Sequence, residues 1–303
     1  MSRSWTRNIG RNGKVKTVKF KKVDLSFQSC TSEYKDASVV LFSSPMDATT
    51  SFRPGTRFAG NAIRVDSFGV EWYSPYRDMD LKDYHTCDIG DLELPIGDVE
   101  KALDVIYKTV RRILKDEKKP MMIGGEHLVT YPVIRALTEK YSDLHIIHLD
   151  AHTDLRDEFF GRKLSHATVI RRCHDLLGDG RIHQFGIRSG DKSEFQWAAS
   201  GHTELRRFDL EGLEKTVKSL IGKPVYVTID LDVLDPSVFP GTGTPEAGGI
   251  TYKELLGAID QFSRLDRLVG ADIVELAPML DASGASTAAA AKTLREMILL
   301  LHQ

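Results

Sequence analysis

Four segments of this sequence gather carboxylates and imidazoles at short, regular spacing. Gly124-Gly125-Glu126-His127, Asp150-Ala151-His152-Thr153-Asp154, Asp230-Leu231-Asp232 and Glu275-Leu276-Ala277-Pro278 each follow a short apolar run. In an extended chain alternate side chains point the same way, so Asp150, His152 and Asp154 face one pocket, as do Asp230 and Asp232. Five such groups together with His127 would repel one another and strand charge unless cations sat among them. Carboxylate and imidazole donors without thiolate disfavour a structural zinc site and suit Mn²⁺ or a similar divalent ion. Two carboxylates shared as bridges would hold two ions roughly 3.5–4 Å apart, the spacing of two-metal hydrolases.

The elements that must position these groups read as strands. Runs at 38–42, 120–123, 144–149, 182–187, 225–229 and 268–274 are nearly continuously apolar, the mark of parallel strands covered on both faces. Between them lie helical patterns: 99–115 places Ala102, Leu103, Val105, Ile106, Val110 and Ile113 largely on one side, and 288–301 forms a last helix. Strand, turn and helix in alternation predict an α/β domain, a parallel sheet with helices on both faces. In such sheets the ligand sits outside the carboxyl ends of the strands, where the carboxylates and imidazoles collect.

Composition narrows the partners. The 303 residues carry 41 Lys and Arg against 43 Asp and Glu, a net charge of −2. No concentrated basic field is present to draw a nucleic acid or a membrane surface. No apolar run reaches the roughly 18 residues that span a bilayer, and the basic start lacks a secretion signal's apolar stretch. Cys30, Cys87 and Cys173 are odd in number and show no CxxC spacing, which points to a reducing, cytoplasmic setting without disulfides. His145 and His148 lie within a strand run and read as core or supporting residues. His85, His174, His183, His202 and His302 carry no motif and read as packed or solvated. The glycine-rich stretch 241–249 lacks the Gly-Lys-Ser/Thr ending of a phosphate loop and reads as a loop shaped to approach a ligand closely.

Gly-Gly-Glu-His-Leu-Val-Thr, Asp-Ala-His-Thr-Asp-Leu-Arg, Ser-His-Ala-Thr, Thr-Ile-Asp-Leu-Asp-Val-Leu-Asp-Pro and Val-Glu-Leu-Ala-Pro resemble the signature segments of the ureohydrolases. That family contains arginases, agmatinases, formiminoglutamases and guanidino-acid hydrolases. The resemblance runs from about Ser51 to the end. Ser-Phe-Arg-Pro-Gly-Thr-Arg-Phe at 51–58, Gly-Ile-Arg-Ser-Gly at 186–190 and Gly-Thr-Gly-Thr-Pro-Glu-Ala-Gly-Gly-Ile-Thr at 241–251 are similar to bacterial-type agmatinases.

The resemblance implies a three-layer α/β/α fold with a central eight-stranded parallel sheet. The catalytic domain would span 36–303, behind an N-terminal extension, 1–35, that matches nothing. It implies two Mn²⁺ ions, one held by His127, Asp150, Asp154 and Asp230, the other by Asp150, His152, Asp230 and Asp232. His166 matches the family's proton-shuttle position and Glu275 the carboxylate that receives the guanidinium. Taken alone, His166 reads as the start of a helix capped by Ser165. The implied partner is a small cationic guanidino substrate, and the implied assembly a homo-oligomer, trimer or hexamer.

The expected reaction is hydrolysis of agmatine to putrescine and urea by a manganese-activated hydroxide. A resonance-stabilised guanidinium is a poor electrophile, so the nucleophile must be strong near neutral pH. The alternative is another ureohydrolase: a guanidinobutyrase, another guanidino-acid hydrolase or an arginase. The loop at 155–164 lacks an arginase-like polar pattern. Its Asp157 and Glu158 favour an amine, while Arg156, Arg162 and Lys163 would equally serve a guanidino acid. A two-metal phosphoesterase would call for arginines near the ligand set, and none is securely placed. A catalytically silent scaffold would have lost a ligand, His166 or Glu275, and none is lost.

Overall fold

Residues 25–303 are described by the computed structural model, so residues 1–24 of the expected extension lie outside the described residues. Among the described residues the order runs β1 (Val39–Ser43), α1 (Ala59–Asp66), β2 (Tyr73–Ser74), β3 (Met79–Asp80), β4 (Thr86–Asp91), α2 (Val99–Lys115), β5 (Lys119–Ile123) and α3 (Thr130–Thr138). It continues with β6 (His145–Leu149), α4 (Val169–Leu177), β7 (Ile182–Ile187), α5 (Lys192–Trp197), β8 (Glu204–Arg207) and α6 (Leu213–Ser219). β9 (Val225–Asp230), α7 (Tyr252–Phe262), β10 (Leu268–Val274) and α8 (Ala285–Leu301) complete it.

Eight strands form one sheet in the order β4-β1-β5-β10-β9-β6-β7-β8, each neighbouring pair parallel. β2 and β3 pair separately and antiparallel. Successive strand residues point to opposite faces, and both faces are covered. Val39, Leu41, Met121, Ile123, Val225 and Val227 join one apolar cluster with residues of α6, α7 and α8. Val40, Phe42, Met122, Ile146 and Tyr226 join another with residues of α2, α3 and α4. This is the three-layer α/β/α arrangement, and it explains why the central strands read as unbroken apolar runs.

The six apolar runs are all strands of this sheet. β4 (Thr-Cys-Asp-Ile-Gly-Asp) and β8 (Glu-Leu-Arg-Arg) are the two edge strands of the sheet, only partly buried, and carry no continuous apolar signal; the outer flank of β4 meets the 30–32 segment through a bridge from Thr31 to Cys87. α2 spans the expected residues and opens with the Asp98 side chain accepting from the Lys101 N–H at 3.1 Å. Its Val105 is only half-buried. α8 starts three residues before 288, at Ala285. The described part of the extension packs on the domain: Phe27 and Cys30 are buried, and the Phe27 N–H donates to Asp88 at 2.8 Å.

Candidate metal centre

Sheet register brings the four chemical segments together. Their parent strands, β5, β10, β9 and β6, are the four central neighbours. β9 matches Ile229 to Leu149 of β6, and Asp230 to Val274 of β10. Asp150, Asp230 and Glu275 therefore leave three adjacent strand ends side by side. On the far side of β10, Ile123 of β5 matches Ile273, and the next turn delivers His127. That turn needs its glycine, because a Cβ on Gly125 would stand 1.9 Å from the Met46 carbonyl oxygen. Asp154 (φ 52°) and Glu275 (φ 65°) adopt left-handed backbone, which costs a non-glycine residue roughly 1–3 kcal/mol and gathers at functional sites.

All six sequence-expected ligands converge. His127 Nδ1 lies 3.1 Å from Asp150, 3.2 Å from Asp154 and 3.3 Å from Asp230. His152 Nδ1 lies 3.0 Å from Asp232 and 3.5 Å from Asp150. The atoms thus form two foci that share Asp150. His127 Nδ1 and Asp232 Oδ2 are buried yet make no hydrogen bond. Buried lone pairs left unpaired cost about 1–3 kcal/mol each, and a cation at each focus would satisfy them.

The electrostatics describe the same need. Burial, then the neighbouring Asp232 and Asp150, pushes Asp230 well above the usual carboxylate range. Burial and Asp150 bring Asp154 up to about 7. Burial works against charge on His127 and His152, but surrounding carboxylates outweigh it and raise both imidazoles. The cluster thus draws protons where it lacks cations, and metal binding would release them.

A supporting layer fixes which nitrogen each histidine presents. Thr228 donates its hydroxyl proton to the buried Asp272 at 2.6 Å. It can then only accept from His127 Nε2, 3.0 Å away, so Nε2 always carries a proton and Nδ1 is the nitrogen whose lone pair would go to a cation. Asp272 also accepts from Thr130 at 2.8 Å and Tyr226 at 2.7 Å. His148 is likewise a supporting residue: the Gln184 amide donates to its Nδ1 at 3.1 Å, so its Nε2–H donates to Asp150 at 2.7 Å.

A cavity of about 250 Å³ opens on the cluster, lined among others by His127, His152, His166, Asp230, Asp232 and Glu275. Glu275 is buried, and its Oε1 accepts the His127 backbone N–H at 2.8 Å. Burial, then Glu126, raises its carboxyl well above the ordinary range. His166 opens the turn capped by Ser165 and Thr168. Its backbone N–H donates to Thr49 Oγ1 at 3.0 Å, and Thr49 in turn donates to Glu126 at 2.9 Å. Its Nε2 stands 3.3 Å from the Ser51 hydroxyl. Burial pushes the His166 imidazole down to about 4, so the ring rests neutral.

The loop after Asp154 departs from expectation. Asp157 turns away to pair with Arg172 at 2.9 Å, and Glu158, Arg162 and Lys163 do not line the cavity. The acidic wall comes instead from Asp191 and Glu194. Arg156 lines the cavity, and two carboxylates hold it, Asp191 at 2.6 Å and Glu194 at 3.6 Å. Thr244, from the glycine-rich 241–249 loop, reaches the cavity as that loop's reading anticipates.

Comparison with known proteins identifies the relationship, since the model of the arginase family matches residues 37–300. This chain belongs to the arginase family. It is 49% identical over 269 residues to the agmatinase of Bacillus subtilis, covering 88% of this chain and 93% of that protein. It is 34% identical over 274 residues to the guanidinobutyrase of Pseudomonas aeruginosa, covering 85% of this chain and 84% of that protein. The solved agmatine ureohydrolase of Thermoplasma volcanium superposes with a TM-score of 0.85 at 34% identity, covering 93% of this chain and 95% of that one. Within this arginase-family fold, Thr49, Glu126, Asp191, Thr228 and Asp272 take parts that the sequence did not assign to them. Thr49 and Asp191 come from distant parts of the chain, while Thr228 and Asp272 sit inside β9 and β10 just before Asp230 and Glu275, where they read only as strand residues. For Glu126 alone there was a signal, its place between Gly125 and His127.

Proposed function

We propose that this chain is an agmatinase, which hydrolyses a guanidino C–N bond of agmatine to give urea and putrescine. The observation that carries the reading is the convergence of His127, Asp150, His152, Asp154, Asp230 and Asp232 in a chain 49% identical to an agmatinase. In this reading His127, Asp150, Asp154 and Asp230 would hold one ion, and Asp150, His152, Asp230 and Asp232 the other. Oxygen and imidazole donors without thiolate make manganese the proposed metal. When bound, such an ion pair lowers the pKa of a water from about 15.7 towards about 7 and so supplies a nucleophile near neutral pH.

The chain's own groups supply the rest. The Glu275 carboxylate, oriented by the His127 N–H, receives the planar guanidinium through charge-assisted hydrogen bonds and holds its carbon for attack. His166, neutral at rest, takes up a proton at Nε2 as the nucleophile adds and returns it to the departing amine.

Charge on the cavity wall favours the diamine-like substrate. Arg156 already pairs with Asp191 and Glu194, which leaves it poorly placed to neutralise the carboxylate of a guanidino acid. Its presence in the wall is also what favours the second reading, a guanidinobutyrase. The proposal extends to one catalytic domain over 36–303, to a cytoplasmic setting and to a homo-oligomer, trimer or hexamer. The three free, buried cysteines support the setting. Exposed Phe52, Phe160 and Ile96 support an assembly. No helix among the described residues is long and apolar enough to cross a membrane.

The test is urea and putrescine release from manganese-loaded protein, with arginine and 4-guanidinobutyrate run beside agmatine. The proposal expects kcat/KM for agmatine to exceed both others by about 100-fold or more, within reach of polar-group discrimination. Faster turnover of 4-guanidinobutyrate would overturn the substrate and transfer the reading to the guanidinobutyrases.

A further inference from the structure

Away from the cavity, three segments bring a second set of donors together. His174 lies in the last turn of α4, Asp179 just beyond it, and His202 at the end of the kinked turn 198–202 before β8. His174 Nε2 and His202 Nδ1 each stand 2.8 Å from the same oxygen, Asp179 Oδ1. All three donor atoms lie within 4.8 Å of one another.

Stacking holds the rings in place. The Trp197 indole stacks on His202 at 4.4 Å and 18°, and His174 meets it edge-on at 4.7 Å and 85°. The Arg171 guanidinium lies 4.1 Å from the Trp197 ring.

We propose that His174, Asp179 and His202 form a surface site for a divalent transition ion of the zinc type, which ties the end of α4 to the segment entering β8. The donor set, two imidazoles and one carboxylate, suits zinc and its late transition-metal neighbours rather than calcium or magnesium. Zinc–nitrogen and zinc–oxygen bonds of about 2.0–2.2 Å in the usual tetrahedron set donors about 3.4 Å apart. The observed separations are 2.8 Å, so an ion would take the place of the two bridging protons once the donors spread by about half an ångström.

Access and field agree. Side-chain exposure is 64% at Asp179 and 33% at His202, which leaves room for an ion and its remaining waters. The trio sits at the carboxyl end of α4, where the helix dipole favours positive charge. Because the rings are already held by Trp197, binding orders little that is free. Without an ion, the same atoms form only a solvent-exposed hydrogen-bonded clasp of the kind that contributes little. α4 begins directly after the His166 turn, so the tie would restrain the far end of the helix that follows the proton carrier.

The experiment is zinc uptake by the full-length protein against a chromophoric competitor, with thermal unfolding followed in parallel. His202→Phe keeps a ring on Trp197 and removes the nitrogen, and Asp179→Asn keeps an oxygen but removes the charge. Wild type should take up one more zinc ion per chain than His202→Phe, whatever the catalytic centre holds. Its unfolding midpoint should rise further with zinc than that of His202→Phe, and Asp179→Asn should bind the extra ion at least tenfold more weakly. Urea release from agmatine should be the same in His202→Phe and wild type. Equal zinc uptake and equal thermal response in wild type and both variants would overturn the proposal and leave a hydrogen-bonded clasp.

Discussion

A buried histidine can give a metal one lone pair only if its other ring nitrogen holds the proton, and at His127 that choice falls to Thr228. The hydroxyl is committed to Asp272, so it accepts from Nε2 and leaves Nδ1 to face three carboxylates. Thr228→Val should therefore weaken metal affinity by about 10–100-fold, the usual cost of losing such a partner. At saturating manganese kcat should recover. An unchanged metal titration would show that His127 is fixed by other contacts. His166→Ala should lower kcat by about 10²–10⁴, the range of a lost acid–base group, with metal content unchanged. A drop tenfold or smaller would remove His166 from the proton path. The Asp-x-His-x-Asp and Asp-x-Asp ligands were legible in the sequence from their clustering after apolar runs, although the strand period expected for them stops short: Asp232 lies in the tight turn Leu231–Val233 and Asp154 on left-handed backbone. Thr228 was not, since its meaning depends on partners at 127 and 272.

Between elements, acid sensitivity is built into the way histidines are packed. His302, just past α8, lies against β4 and the start of β1, with Nε2 2.8 Å from Thr86 and Nδ1 3.1 Å from Ser38. Burial, then Lys119 and His85, lowers it to about 4, against about 6.5 in an unfolded chain. Burial lowers His145 and His166 to about 4 as well. Below pH ~6.5 the unfolded chain takes up protons that the folded chain refuses until about pH 4, so stability falls as pH drops through that window. Above pH ~6.5 this penalty is absent. His302→Gln, which keeps hydrogen-bonding capacity, should flatten the fall in urea midpoint between pH 6.5 and 4 by the share of one proton. An identical slope in wild type and variant would show that His302 titrates alike in both states. The edges also mark where element reading fails: β4 and β8 carry Asp, Gly, Glu and Arg, because a partly exposed edge strand need not be apolar throughout.

For the whole molecule, the sheet order is what the chain's linear pattern does not contain. β5 and β6 follow one another among the strands of the sheet, yet β10 and β9 stand between them. That insertion places the end of the chain's last strand, with Glu275, at the centre of the site. The α/β class and the strand ends as the place of chemistry were legible from apolar runs and turns. The eight-strand count came from family resemblance, and the register that aligns Asp150, Asp230 and Glu275 had to be seen. The central claim is that these strand ends form a two-ion centre that releases urea from agmatine. The most direct measurement is a manganese titration of metal-stripped protein, with urea release from agmatine read at each addition. Activity should be absent at the start and rise to a plateau at two ions per chain. Full activity without metal, or no urea at any metal load, would contradict the account.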